Sequence, residues 1–152
     1  MVQCGGKWGI YAMLIGEYHH NLDNKNRLMM PAKTLNELGA EVIVARGFEH
    51  CLMVYPMAKW EKVIEKFSEL SITKSDTRKF MRILLSGATS CKFDSQNRIC
   101  LPGVLKSYAD INKEVVILGL DDHLEIWSEE SYNIFLNENL ESFSEIAEKI
   151  YD

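Results

Sequence analysis

Long apolar runs are missing from this 152-residue chain. No stretch approaches about 18 consecutive hydrophobic residues, so no membrane-spanning helix is expected. Proline is scarce, at three residues, while 47% of the chain is hydrophobic and 26% is charged. That balance excludes a collagen-like or disordered chain and leaves one ordinary globular domain, or two very small ones, with a core. Cysteine is sparse and scattered: Cys4, Cys51, Cys91 and Cys100 stand 47, 40 and 9 residues apart. Without a CxxC pair there is no zinc-ribbon or thioredoxin-like pattern. Isolated cysteines among apolar residues are expected as reduced, buried small hydrophobes, which points to a reducing compartment. No GxxxxGK[ST], GxGxxG or GxSxG motif is present, so the sequence offers neither a phosphate cradle nor a nucleophile elbow. Neither enzymatic activity nor a cofactor is expected.

An excess of basic charge is also lacking. The chain carries 17 basic and 22 acidic residues, a net charge of −5, and so has no global attraction to nucleic acid or anionic membranes. The deficit is local. Residues 13–127 hold 15 basic and 15 acidic residues, whereas residues 128–152 hold seven acids and one lysine. The tail reads as a solvated helix face, and a basic patch on the body stays compatible with the overall sign. The four histidines do not form a ligand set. His19 and His20 are adjacent and point to opposite faces of a strand, and His50 and His123 occupy matching loop edges. No metal is expected.

Residues 1–12 are read as an upstream extension, expected to be disordered, with Met13 as an alternative start. Gly9, Trp8 and Tyr11 interrupt its apolar stretch, and it has no small-x-small cleavage site, so a secretory signal is disfavoured.

What the chain does contain is an internal repeat. Leu22-Asp23-Asn24-Lys25-Asn26-Arg27-Leu28-Met29-Met30-Pro31 returns as Phe93-Asp94-Ser95-Gln96-Asn97-Arg98-Ile99-Cys100-Leu101-Pro102, at an offset of 71. The correspondence continues from Val42-Ile43-Val44 to Val115-Val116-Ile117 and from Leu52-Met53-Val54-Tyr55 to Leu124-Glu125-Ile126-Trp127, where the offset is 72 or 73. Each unit reads as a strand, a polar hairpin turn, a second strand stopped by proline, a short helix (Pro31–Leu38 or Pro102–Ala109), and two more strands. Trp60, Val63, Ile64 and Phe67 have helical spacing, as do Phe80, Ile83 and Leu84. Ser128 followed by two glutamates opens a helical tail with Ile134, Phe135, Ile146 and Ile150 as apolar positions. Trp60, Trp127 and Tyr132 are read as core aromatics. Units of roughly 45 residues are too small to stand alone, so the two are expected to pair into one pseudo-twofold body with the helices packed around it.

The two Asp-x-x-x-Arg turns have two readings. Lys25, Arg27 and Arg98 could project from paired hairpins into a DNA major groove, where arginine donates twice to a guanine edge, asparagine or glutamine pairs with adenine, and lysine holds phosphate. Alternatively, Asp23–Arg27 and Asp94–Arg98 are turn-closing ion pairs. The residues admit both at once, with the aspartate orienting an arginine that reads a base.

The chain resembles the MraZ family of bacterial transcriptional regulators. The resemblance rests on Gly16 to Asp23, Arg27-Leu28, Pro31-Ala32-Lys33, Cys51-Leu52, Tyr55-Pro56, Trp60-Glu61 and Arg82 to Ala88 in the first half. In the second half it rests on Asp94 to Ile99, Leu101-Pro102 and Leu124 to Trp127. It implies an α+β, mainly β fold: tandem SpoVT-AbrB-like swapped-hairpin units forming one intrachain pseudo-twofold barrel with flanking helices. The expected units are 17–59 and 88–131, with a helical linker at 60–87 and an acidic C-terminal helix at 132–152. The family's DNA-contact motif maps onto Asn24, Lys25, Asn26, Arg27, Gln96, Asn97 and Arg98, with Asp23 and Asp94 orienting the turns. Asn26 and Asn97 stand where the family usually has glycine, and asparagine tolerates the left-handed backbone such a turn requires.

The same resemblance implies a repressor of the cell-division and cell-wall gene cluster, including its own promoter. It would bind short direct repeats in double-stranded DNA as a homo-oligomeric ring, an octamer, in the cytoplasm at the nucleoid. No membrane partner and no small-molecule substrate are expected. An antitoxin-like protein-interaction module acting through the C-terminal helix is the alternative.

Overall fold

The computed structural model describes residues 13–151; the reading of residues 1–12 lies outside the described residues. The first half contains β1 (Leu14–Asn21), β2 (Arg27–Met29), a 3-10 turn (Ala32–Thr34) leading into α1 (Leu35–Leu38), β3 (Glu41–Arg46) and β4 (Leu52–Pro56). Two helices follow, α2 (Met57–Phe67) and α3 (Ser75–Gly87). The second half repeats the order with β5 (Thr89–Lys92), β6 (Arg98–Cys100), α4 (Gly103–Tyr108), β7 (Glu114–Asp121) and β8 (Leu124–Ser128). The tail forms α5 (Glu129–Asn139), a 3-10 turn at Leu140–Ser142, and α6 (Phe143–Tyr151).

The strand order shows how the halves combine. One six-stranded sheet runs β1-β7-β8-β4-β3-β5, and β2 and β6 form a separate two-stranded ribbon. All pairs are antiparallel. The first strand of each half therefore pairs with the third strand of the other. The pseudo-twofold relation passes between β4 and β8, where Met53 pairs with Glu125. A local hairpin was the simplest expectation for strand-turn-strand spacing, yet β1 does not pair with β2. Each turn sends its second strand across to the other half, as the swapped-hairpin resemblance implies.

Alternation along the strands explains the layers. Val42 and Val44 point inward with Leu52, Val54, Ile117 and Ile126, and the ribbon contributes Leu28, Met30, Ile99 and Leu101 to that same buried cluster. Ile43, Ala45, Met53 and Tyr55 point to the other face, where Trp60 from α2 and Leu84 from α3 cover them. Cys51, Val116 and Trp127 are covered by Tyr132 and Phe135 from α5. Strands buried on both faces read as continuous apolar runs, which is how Val42 to Ala45 appears in the sequence. Gly16 and Gly119 face each other in the β1–β7 ladder, and Gly16 has φ +107°. A Cβ on Gly119 would meet the Ile15 backbone nitrogen at 2.5 Å, so the two strands approach where only glycine fits.

Trp60, Trp127 and Tyr132 are core aromatics, as expected. The cysteine expectation holds for Cys51 and Cys91, which are buried, and burial pushes both thiols up from their usual pKa. It fails for Cys100, which is exposed because strand alternation turns it to the outer side of the ribbon. The tail departs from a single packed helix. Ser128 caps α5 by accepting from the Ser131 N–H at 3.0 Å, but Ile134 is half exposed and Ile150 is 74% exposed. The expectation that the tail packs around the body therefore fails at Ile134 and Ile150, which no element covers among the described residues.

Candidate nucleic-acid interface

Both Asp-x-x-x-Arg segments fold into the same turn. The Asp23 N–H donates to the Arg27 carbonyl at 3.0 Å, and the Asn26 N–H donates to the Asp23 carbonyl at 3.1 Å. In the second half the matching distances, Asp94 to Arg98 and Asn97 to Asp94, are 2.9 and 3.1 Å. The residue before each arginine is left-handed, with φ 60° at Asn26 and 61° at Asn97. This geometry is a three-residue loop whose last position needs positive φ, and asparagine meets that need at low cost.

The aspartates anchor the loops. Asp23 Oδ1 accepts from the backbone N–H groups of Lys25 and Arg27, each at 2.9 Å, and its Oδ2 accepts from Arg27 Nε at 2.7 Å. Asp94 does the same, with 2.8 Å to the Gln96 N–H, 2.9 Å to the Arg98 N–H and 2.8 Å to Arg98 Nε. Arg98 Nη1 also lies 3.7 Å from Asp23 Oδ2, so one arginine spans the two turns. Both ion pairs use Nε, which leaves terminal guanidinium donors for another acceptor. The structural reading of the pairs is therefore correct as far as it goes, and it orients the arginines rather than consuming them.

These contacts set the carboxylate pKa values. The Arg27 backbone N–H, helped by the Arg27 guanidinium and the Lys25 N–H, holds Asp23 down to about 2. Asp94 is lowered chiefly by the Arg98 backbone N–H. A depressed carboxylate stabilises the fold fully above its unfolded value, roughly 4, and that contribution is lost as pH falls through the folded value. Protection of the Lys25 and Arg27 amides from hydrogen exchange is thus expected to stay constant from pH 8 to about 4 and to fall between about pH 4 and 2. Loss of protection near pH 6 would show that another group holds the turn.

The ribbon fixes where the arginines go. Arg27 pairs with Cys100, Leu28 with Ile99, and Met29 with Arg98. Leu28 and Ile99 face the core at 0% and 1% exposure. Arg27, Met29, Arg98 and Cys100 therefore share the outer face. The turns interlock further, because the Leu101 N–H donates to the Asn26 carbonyl at 2.9 Å and the Met30 N–H donates to the Asn97 carbonyl at 3.2 Å.

Asn24, Lys25, Gln96 and Asn97 are exposed on the turns, Asn26 is half-buried, and the structure brings all seven expected contact residues together at this ribbon. Sequence reasoning passed over Met29 and Cys100, which lie directly across the ribbon from Arg98 and Arg27; strand alternation from the arginines would have found them. It also passed over Lys106, whose Nζ donates to Asn26 Oδ1 at 2.8 Å across 80 positions of sequence. The histidines stay apart. His123 stacks on Tyr55 at 4.6 Å and His50 packs on Tyr108 at 5.1 Å. Among the described residues no group of three or more His, Cys, Asp or Glu could hold a metal ion, and no helix is long and apolar enough to cross a membrane.

Comparison with known proteins gives the same division into halves. The sequence model of the family described as "MraZ protein, putative antitoxin-like" matches twice, at residues 13–83 and 84–152. Curated relatives align nearly end to end. The transcriptional regulator MraZ of Halothermothrix orenii is 46% identical over 140 residues, covering 92% of this chain and 98% of its own length. Proteins of the same name from Lactobacillus helveticus and Moorella thermoacetica are 44% and 42% identical with the same coverage. Tandem matches to one family, and relatives of this identity along their whole length, lead to one conclusion: the chain belongs to the MraZ family.

Proposed function

We propose that this protein is a sequence-specific DNA-binding transcriptional regulator and not an enzyme. The observation that carries the reading is the outer face of the β2–β6 ribbon, where Arg27 and Arg98 are each gripped at Nε, Arg98 Nη1 also faces Asp23, and Nη2 of each is left for another acceptor. A two-stranded ribbon fits the B-DNA major groove, and a guanidinium edge pairs with guanine O6 and N7. Two residues of strand rise separate the arginines, about 7 Å along the ribbon, or about two base-pair steps. Lys25 supplies phosphate contact, and Gln96 and Asn97 have the amides suited to adenine. The relatives' name as transcriptional regulators supports this reading. Within it, the units are 17–59 and 88–131, and the protein represses the cell-division and cell-wall cluster, its own promoter included, through short direct repeats at the nucleoid.

One ribbon makes few contacts, so affinity requires several copies on repeated sites, where effective concentration multiplies weak binding. Homo-oligomerisation into a ring is part of the proposal. It is supported by α6, on which Phe143 and Ile150 are each 74% exposed and which has no buried residue among the described residues.

The test is fluorescence anisotropy of a labelled duplex from upstream of the protein's own gene. A scrambled duplex of equal length competes across a salt series, and sedimentation analysis accompanies it. We expect a preference for the promoter that survives moderate salt, and a multimer in solution. Equal, weak, salt-sensitive binding to both duplexes would remove the DNA reading. A monomer that instead captures one stoichiometric protein through α6 would favour the antitoxin-like alternative.

A further inference from the structure

The pseudo-twofold relation makes the two turns near copies in backbone, but their side-chain supports differ. Proline-anchored segments after the ribbon strands align Leu35 with Lys106 and Lys33 with Val104, at the offset of 71. Because the strands cross over, each segment supports the opposite turn. Lys106, half-buried on α4 of the second half, reaches Asn26 of the first and takes its side-chain oxygen at 2.8 Å. Asn26 is half-buried. On the other side Leu35 occupies the corresponding place and offers no donor. Asn97 is exposed there, at the edge of an open, mainly apolar groove bordered by Tyr18, Met29, Pro31 and Leu35. The lysine of that groove, Lys33, is exposed and sits two positions earlier in its segment.

We propose that Lys106 is a DNA-contacting residue that makes the two turns inequivalent. It immobilises the tip of the Asn26 turn as a phosphate clamp with Lys25 and leaves base reading by the turn tips to Gln96 and Asn97, while Arg27 and Arg98 read from the ribbon itself, so that one body seats on its site in a single polarity. The physical basis is direct. An ammonium carries three donors, of which Asn26 Oδ1 takes one, which leaves two for a phosphate at Asn26, whose preceding residue is the exposed Lys25. A point charge of this kind recognises phosphate without reading sequence. Lys106 takes one of the two acceptor positions of Asn26 Oδ1 and fixes the orientation of that amide, whereas the exposed Asn97 amide can turn to present its oxygen and amino group to adenine. The inference rests on the DNA reading above and adds that Lys106 sets the polarity of the body on each repeat.

The test compares the wild type with Lys106→Leu, which copies the residue of the opposite half, and Lys106→Arg. Binding to a promoter duplex carrying a single site is measured across a salt series. A set of duplexes in which single phosphates are replaced by neutral methylphosphonates is measured alongside. Lys106→Leu is expected to lower the salt slope by about one while keeping the base preference. It should also weaken the effect of methylphosphonates on one flank of the site only, with the remainder carried by Lys25. Lys106→Arg should restore the slope. Thermal unfolding of each variant reports whether the fold is intact.

An unchanged slope in a folded Lys106→Leu protein would overturn the proposal, as would equal loss of methylphosphonate sensitivity on both flanks. A wild type without promoter preference would instead remove the DNA reading itself, and this inference with it. Asn97→Ala should do the converse, relaxing base preference at one position while leaving the salt slope in place; a lowered slope in that variant would also count against the division of roles.

Discussion

Arg27→Ala and Arg98→Ala are each expected to abolish most of the preference for promoter over scrambled DNA while leaving the unfolding transition nearly unchanged. A well-formed bidentate contact discriminates by about 1–3 kcal/mol, so preference should fall by roughly 5- to 150-fold. The two substitutions are not equivalent. Arg27 meets only its own aspartate, whereas Arg98 meets Asp94 at 2.8 Å and lies 3.7 Å from Asp23. Removing Arg98 takes a base-reading group and loosens the link between the turns, so it should have the larger effect. Exposed ion pairs contribute little to stability, which is why the fold should survive. Competition anisotropy measures the preference and calorimetry the fold. Retained preference in both folded variants would mean that the pairs are purely structural.

Leu28→Ala and Ile99→Ala should do the opposite, leaving the chemistry of the outer face intact and undermining what holds it. These two side chains face each other across the ribbon and are 0% and 1% exposed. Deleting a buried Leu or Ile side chain down to Ala costs about 2–5 kcal/mol, depending on how far the site can collapse. Against a total stability of about 5–15 kcal/mol, that is a large share. The melting temperature should fall by on the order of 10 °C. Because Leu28 and Ile99 lie in the cluster formed by both halves, unfolding should remain a single transition. A variant that melted in two steps would show that the halves are energetically separate.

The two predictions draw on different depths of the sequence. The turns were legible because their information is local: an aspartate four residues before an arginine, with an asparagine able to take positive φ between them, specifies the same loop in each half. The core was legible for a related reason, since Val42 to Ala45 and Val115 to Ile117 alternate between two buried faces. Strand partnership was not legible from spacing. A turn followed at once by a strand predicts a local hairpin, and only the combined core decides that β2 crosses to β6. Lys106 was hidden for the same cause, because nothing near residue 106 signals that residue 26 is its neighbour. Cys100 was misjudged by type, since alternation along a three-residue strand outweighed the general tendency of cysteine to be buried. The tail was recognised as helical, but its apolar positions were expected against the body, and a face without a cover looks the same in sequence as one with it.

The exchange of first strands between the halves has a consequence for how the chain is made. Leu14 pairs with Asp121, so β1 leaves the ribosome about 100 residues before its partner exists. At about 5–20 residues per second, that wait lasts on the order of 5–20 seconds. During it β3 and β4 can already zip together, because they are sequential neighbours. The nascent chain therefore carries a formed central hairpin flanked by an orphan strand whose main-chain donors and acceptors are open to any passing edge. Glu17 and His19 along β1 keep that orphan polar on one side, and His20 adds a polar group to the other. This composition suits a segment that must stay soluble until the second half is synthesised.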